Sequence, residues 1–397
     1  MRKISLVYFQ SGGPTSVINS SLYGLIQAAK EDPNVDKIYG SLYGVEGLIN
    51  DNVVDLRKEN EEELRLLLQT PGAALGSARR KIKPEEREGI FAKIKATMLK
   101  HGLNVIFVNG GNDSMDTCAL LSEYFKDSDI QVLGIPKTVD NDLPCNDHTL
   151  GYPSAAKTII NHVKSISVDV DAYSKGKVTL IEMMGRDTGW LPASTALIEE
   201  PYGPDYIYLP EMGFDEEEFL RQVKETYEKK KRCLIILPEY LPWKQDSMQI
   251  DAFGHAYNEG NVHRLAALVI SKLGYPTRGV GLSLLVRSSP FLLSDIDQKE
   301  ALEMSKFMLK AALNGETGKV GIINRDTSVP YASHPSLVDA KEIANTVRYV
   351  PASWIKSFGK INVEEVEAYL KPLLGNDIKI ETQDGQFRVA HLKLERE

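Results

Sequence analysis

Short β-branched runs alternate with longer stretches of helical spacing along most of this chain, and that alternation constrains the fold more than any single residue does. Candidate strands are Ile4–Phe9, Asn104–Val108, Val132–Ile135, Val178–Met183, Tyr206–Leu209, Leu234–Leu237, Gly281–Val286 and Val320–Ile323. Apolar residues at three-to-four spacing predict helices at Ser16–Lys30, Asp113–Phe125, Ser154–Val168, Thr188–Ile198, Asp215–Lys230, Val262–Lys272 and Ser294–Leu313. Strands joined through helices pair in parallel, so an α/β protein with mainly parallel sheets is expected. In such folds ligands sit where strand ends meet helix starts, which directs attention to the strand-to-helix loops.

Composition limits what those loops can bind. The 397 residues suit about two or three domains. Lys and Arg total 47 against 55 Asp and Glu, a net charge of −8, which disfavours nucleic acid and anionic membrane as partners but allows a local basic pocket. Cys118, Cys145 and Cys233 are few and widely spaced, as in a reducing cytoplasm. The start, MRKISLVYFQSGG, has an apolar run of only about six residues, too short for a signal peptide or a span. A soluble cytoplasmic protein is expected. The charged runs Glu59–Glu63 and Lys229–Arg232 read as solvated helix ends, and the tail 377–397 reads as a hairpin about Asp384–Gly385.

Four loops carry the chemistry. The first strand enters SGGPTS (11–16) and then a helix, where glycines let backbone N–H groups approach an anion. The second ends in GGNDS (110–114), a loop of the same design with a carboxylate that would repel a further anionic group; an N-cap role for Asp113 or Ser114 is the structural alternative. The third leads into PKTVDND (136–142), where Lys137, Asp140 and Asp142 form a unit able to hold Mg²⁺, deprotonate a hydroxyl and neutralise a phosphate. The fourth, VTLIEMMGRDTGW (178–190), sets Arg186 at a turn, where it can fork onto phosphate oxygens or simply face solvent.

Taken together, SGGPTSVIN, GSARR, GGNDS, PKTVDND, EMMGRDTGW and SLLVR resemble, in order and spacing, the phosphofructokinase family, and most its pyrophosphate-dependent bacterial branch. The resemblance spans about Ile4 to Gly318 and implies two Rossmann-like three-layer domains. Residues 1–152 with 286–335 would receive the phosphoryl donor, and 153–285 with 336–397 the sugar phosphate. It further implies Mg²⁺, pyrophosphate and fructose 6-phosphate as ligands, and a homodimer or homotetramer with shared active sites. Asp140 would be the base on the sugar 1-hydroxyl, with Lys137, Asp113 and Arg186 completing the catalytic set. Gly12, Gly13, Arg79, Gly111, Asp113, Ser114 and Lys137 would line the donor. Thr138, Val139, Asp140, Met184, Gly185, Arg186 and Glu239 would line the sugar phosphate, with Arg278 and Arg287 gripping its 6-phosphate, one of them commonly across a subunit interface. Asn112 and Asp142 would hold the metal.

Two positions bear on the donor. ATP-using relatives carry glycine where this chain has Asp113 and Lys137. Asp113 puts bulk and negative charge where an α-phosphate would lie, and Lys137 adds a point charge suited to pyrophosphate. The sequence departs from the family pattern at Asn112, where ATP-using members have Asp, at Val286, where glutamine is usual, and at Trp190 and the PEYLPW segment. The last three lie on the sugar side and leave other acceptors, such as sedoheptulose 7-phosphate, open; ATP as donor is the further alternative. A kinase of the NAD-kinase type shares the glycine loop but does not explain PKTVDND. A catalytically silent sugar-phosphate sensor is disfavoured by the intact Asp140. His255 and His263 read as structural, and His148 as the histidine nearest the site.

Overall fold

The computed structural model describes residues 3–185, 187–243, 249–250, 256–257, 260–344 and 346–395. The chain begins with β1 (Ile4–Gln10), α1 (Ile18–Glu31), β2 (Val35–Ser41), α2 (Val45–Ile49), β3 (Val53–Asp55), α3 (Glu61–Leu66), α4 (Arg87–His101), β4 (Val105–Gly110), α5 (Asn112–Phe125), β5 (Gln131–Thr138) and β6 (Leu150–Gly151). It crosses on α6 (Tyr152–Asp171) to β7 (Val178–Met183), α7 (Trp190–Ser194), β8 (Tyr206–Ile207), α8 (Glu216–Lys230), β9 (Cys233–Pro238), the short pair β10 (Gln249–Ile250) and β11 (Ala256–Tyr257), α9 (Asn261–Leu273) and β12 (Thr277–Gly281). It returns through α10 (Leu285–Ser288) and α11 (Asp295–Leu313) to β13 (Lys319–Ser328) and β14 (Tyr331–Asp339), and ends with α12 (Ala340–Ile343), α13 (Val363–Leu370) and the tail.

Two sheets result. The larger runs β14-β13-β5-β4-β1-β2-β3 with β6 beside β5, and is parallel except at β2–β3 and β13–β14. The smaller runs β12-β7-β9-β8 and is parallel throughout. Successive side chains leave a strand on opposite faces. Accordingly Ile4, Leu6 and Tyr8 pack with Leu22, Leu25 and Met304 of α1 and α11, whereas Val7 and Phe9 pack with Ile94, Met98 and Met115 of α4 and α5. The second sheet is sandwiched likewise: Ile181 and Met183 face Ile159 and Val163 of α6, and Val178 and Leu180 face Phe219, Val223 and Leu265 of α8 and α9. These are two three-layer α/β units, as expected.

The strand orders create two crevices. In the first sheet the chain leaves β1 to one side for β2 and returns on the other for β4, so the crevice opens beyond Gln10 and Asn109, which are in register. In the second it opens between β7 and β12, beyond Glu182 and Gly281. Three of the four loops singled out in the sequence, 11–16, 110–114 and the one after β7, lie at these reversals, and 136–142 follows β5, the next strand beyond β4.

Several boundaries differ from expectation. The run Gly281–Val286 is not a strand: the strand is Thr277–Gly281, Ser283 takes φ +38°, and a helical turn begins at Leu285. Its apolar residues mimic a buried strand, yet Leu284 and Leu285 are exposed. The helix expected at Thr188–Ile198 shortens to Trp190–Ser194 followed by one tighter turn. The sequence pattern does not mark β2, β3, β6, β14, α2, α3, α4, α12 or α13; α4 buries a narrow stripe, Ile90, Phe91, Ile94, Thr97 and Met98, among charged residues. The tail hairpin forms, with Thr382–Gln383 against Gln386–Phe387. Ile378, Ile380, Leu392 and Leu394 pack on the first core, and β14 extends the first sheet to Asp339, so this end of the chain crosses the expected partition at residue 335. Glu59 is not solvated: it is 6% exposed and accepts hydrogen bonds from the backbone N–H groups of Lys393 and Leu394, both at 2.8 Å. No helix among the described residues is long and apolar enough to cross a membrane.

Candidate active site

The first loop is built by a second segment lying against it. Ser11 pairs with Ala78, the Gly12 N–H donates to the Ala78 carbonyl at 3.3 Å, and Ser77 Oγ donates to the Gly12 carbonyl at 2.7 Å. This carries Arg79 to the loop. A Cβ built on Gly13 would lie 2.3 Å from Arg287 Nη1 and 3.7 Å from Arg79 Nη2, so the absence of a side chain leaves room for two guanidinium groups. Lys137 Nζ donates to the Gly13 carbonyl at 2.8 Å. Three cations therefore ring Gly13.

Their electrostatics fit an anion site. Burial lowers the Lys137 pKa from an ordinary 10.5 to about 7; Arg287 and Arg79 reinforce this, while Asp140 and Asp142 oppose it. Arg287 is also lowered, first by burial and then by Arg79, against the pull of Asp140 and Glu239. An anionic ligand in this ring would relieve the repulsion and raise both values. Arg287 and Arg278 are not brought together: Arg278 is exposed on β12, in register with Thr179, three residues before the end of the strand at Gly281.

The second loop meets the same ring. A Cβ on Gly110 would lie 2.2 Å from Ser114 Cβ and 3.3 Å from Ser11 Cβ, and one on Gly111 would lie 3.6 Å from the Lys137 carbonyl. Gly111 occupies the cap position of α5 and no side chain caps that helix, so Asp113 and the buried Ser114 belong to the first turn rather than to a cap. A carboxylate there is favoured by the helix dipole. Asp113 is exposed, and its carbonyl accepts from Thr117 Oγ1 at 3.1 Å.

Beyond β5 the chain turns sharply at Asn141, φ +55°. The Asp140 N–H donates to Thr138 Oγ1 at 3.1 Å and its carbonyl accepts from Thr188 Oγ1 at 3.2 Å, tying this loop to the turn after β7. Val139 is buried in the second core. Asp142 Oδ1 is buried without a hydrogen-bond partner, and burial together with Asp140 pushes its pKa up to about 7. Asn112 Nδ2 donates to the Thr346 carbonyl at 3.0 Å while the Asp142 carbonyl accepts from the Arg348 N–H at 2.7 Å, so one segment holds both expected metal ligands. Among the described residues no cluster of three His, Cys, Asp or Glu could hold a metal by itself. An orphaned carboxylate oxygen beside a second carboxylate fits Mg²⁺ bound through one or two protein oxygens, the rest of its shell coming from water and phosphate.

On the second sheet, Gly185 takes φ +135°, a conformation favouring glycine, directly after the partly buried Met184. Arg186 lies outside the described residues. The Glu239 N–H donates to the Met183 carbonyl at 2.8 Å, which sets Glu239 beside the β7 end. His148 is fully buried away from solvent, with its ring nitrogens 2.8 Å from Asp147 Oδ2 and 2.7 Å from Glu300 Oε2, a structural position. These carboxylates raise its pKa to about 9, against the opposing effect of burial. His255 lies outside the described residues, and His263 stands in the first turn of α9. Sequence reasoning missed Thr188, Glu211, Arg348 and Tyr369; Glu211 Oε1 accepts from the N–H groups of Gly189 and Val350, at 3.0 and 3.1 Å. Thr188 lies within the marked segment 178–190 without a role of its own there, and nothing in the local pattern marks the other three, because each meets the site across a long sequence separation.

Comparison with known proteins gives a consistent result. Residues 5–290 match the family model described as Phosphofructokinase. A pyrophosphate–fructose 6-phosphate 1-phosphotransferase from Rhodospirillum rubrum is 34% identical over 394 residues, covering 94% of this chain and 95% of that one. A sulfofructose kinase from Alkalicoccus urumqiensis is 30% identical, covering 96% and 98%. The crystal structure of a pyrophosphate-dependent phosphofructokinase from Marinobacter aquaeolei superposes with a TM-score of 0.89 at 30% identity, covering 99% of this chain and 97% of the other.

Proposed function

The chain belongs to the phosphofructokinase family, in its bacterial pyrophosphate-dependent branch, and on that premise we propose that it moves a phosphoryl group from pyrophosphate to the 1-hydroxyl of fructose 6-phosphate. The products are fructose 1,6-bisphosphate and phosphate, and the reaction is reversible. The observation that carries the donor assignment is the ring of Arg79, Lys137 and Arg287 about Gly13. Three converging cations suit a compact, highly charged donor, and Asp113 in the adjoining first turn opposes the longer anionic chain of a nucleotide.

In this reading Asp140 takes the proton of the 1-hydroxyl. The freed oxygen forms the new P–O bond as the bond from that phosphorus to the bridging oxygen of pyrophosphate breaks. The electron pair leaves on the departing phosphate, whose charge Arg79 and Lys137 neutralise without reorganising, the condition under which fixed charges lower a barrier most. Mg²⁺, held by Asp142 and Asn112, would supply charge neutralisation at the donor oxygens. The first sheet is assigned the donor and the second the sugar phosphate, through Met184, Gly185, Arg186 and Glu239, with Thr138 reaching the sugar from the end of β5 in the first sheet. Arg287, near Asp140 and Glu239 as well as Gly13, spans both halves. Arg278, exposed on an edge strand, is assigned to a neighbouring subunit's 6-phosphate in a homodimer or homotetramer.

A donor-by-acceptor activity matrix tests this: pyrophosphate and ATP against fructose 6-phosphate, sedoheptulose 7-phosphate and sulfofructose. Turnover is expected with pyrophosphate and fructose 6-phosphate. Equal or better rates with ATP overturn the donor, a preferred alternative acceptor overturns the sugar, and sugar-phosphate binding without turnover makes the protein a sensor.

A further inference from the structure

We propose that Arg348 is a positioning residue for the loop that bears Asp140 and Asp142, acting with Tyr369. The inference rests on the phosphotransferase reading above. Both residues lie outside the stretch 5–290 that matches the family model.

The contacts converge on one loop. The Arg348 backbone N–H donates to the Asp142 carbonyl at 2.7 Å. Its Nε donates to the Asn141 carbonyl at 3.2 Å, and Nη1 donates to the carbonyls of Asn146 and of Asp147. Nη2 donates to Tyr369 Oη at 3.3 Å, while that hydroxyl donates to the Asp147 carbonyl at 2.6 Å and accepts from Asn141 Nδ2 at 3.0 Å. The guanidinium lies 4.3 Å from the centre of the buried Trp190 ring, whose Nε1 donates back to the Arg348 carbonyl at 3.0 Å. A planar, five-donor group is needed here, because a lysine has one point of attachment and cannot reach carbonyls at both ends of a loop.

The loop needs such a clasp. Asn141 holds a left-handed backbone, φ +55°, a conformation that surrounding contacts must hold in place. Asn141 lies between Asp140 and Asp142, so relaxation of that dihedral angle would swing both carboxylates. On the opposite side the Asp140 backbone is tied to Thr138 Oγ1 and Thr188 Oγ1. A residue that acts through the backbone in this way should change turnover more than substrate affinity, since the cation ring about Gly13 is untouched.

The test measures kcat and KM for both substrates, with thermal unfolding, in wild type, Arg348→Ala, Arg348→Lys and Tyr369→Phe. With misplacement of about 1 Å costing about 100-fold in rate, Arg348→Ala is expected to lose about that in kcat while each KM stays within about threefold. Arg348→Lys should recover only part of the loss, and millimolar guanidinium should restore turnover to Arg348→Ala but not to Arg348→Lys. Tyr369→Phe, which keeps the ring and loses the hydroxyl, should lower kcat about fivefold, and it carries the test if Arg348→Ala does not fold. An active wild type whose Tyr369→Phe and Arg348→Lys forms keep full kcat overturns the inference, as does a loss in Arg348→Ala confined to KM. A wild type inactive with every donor and acceptor overturns the functional reading instead.

Discussion

Gly13→Ala isolates the donor site from the fold. The added Cβ would stand 2.3 Å from Arg287 Nη1, against 3.4 Å or more for ordinary contact, so one of the two must yield by about 1 Å. The yielding atom is the far end of a long side chain. Gly13 does not occupy the left-handed region, so alanine suits its backbone and, by restricting the unfolded chain, adds about 0.4–1 kcal/mol of stability. The damage is therefore chemical: a guanidinium moved about 1 Å from a developing charge costs about 100-fold, or about 2.7 kcal/mol in the barrier. Steady-state kinetics should give kcat/KM for pyrophosphate about 100-fold below wild type, with an unchanged or slightly higher melting temperature. Gly12→Ala provides the contrast. Gly12 has φ +74° and its Cβ would meet only Lys137 Nζ at 3.6 Å, so that variant should lose about 1–2 kcal/mol of stability with a smaller loss of activity. If Gly13→Ala keeps kcat/KM within about threefold of wild type, Arg287 does not serve the donor and the reasoning fails.

Asp140→Asn removes the proton acceptor and leaves the phosphate contacts, so kcat should fall by about 10²–10⁴ with little change in KM; a wild-type kcat would remove Asp140 from the chemistry. Asp113→Gly should admit measurable ATP use, and a variant that still excludes the nucleotide would contradict the charge and bulk argument. Lys137 gives a signed pH dependence. Its folded-state pKa is lowered from 10.5 to about 7, so the unfolded chain binds the extra proton between those values. The cost of holding the charged lysine buried is complete below about pH 7 and is relieved as pH rises toward 10.5. Urea unfolding across pH 6–10 should show wild type gaining stability relative to Lys137→Met above pH 7, whereas a constant difference would mean that Lys137 keeps an ordinary pKa.

The alternation of strands and helices, and the four loops at strand ends, were legible because each is a local pattern: spacing sets the element, and glycine or Asp at its end marks the turn. Gly12, Gly13, Gly111, Lys137 and Asp140 could be named on that basis, and the structure brings their loops together. The resemblance to a known family added Arg79, which no local pattern would have selected. For Arg278 and Arg287, nine residues apart, the resemblance implies a shared grip with one arginine commonly across a subunit interface; within this chain the turn at Ser283 sets Arg287 by Gly13 and leaves Arg278 exposed on an edge strand. Glu59 looked like a solvated charge until the tail folded over it.

Sequence by itself determined the α/β class and marked the strand-end loops to which the donor is assigned, since these depend on neighbours within a few positions. Only the tertiary structure decided which cations share Gly13, and that Arg348 and Tyr369 clasp the Asp140–Asp142 loop from more than 200 residues away. Those contacts arise from how two sheets and their covering helices pack, and no periodicity along the chain encodes them.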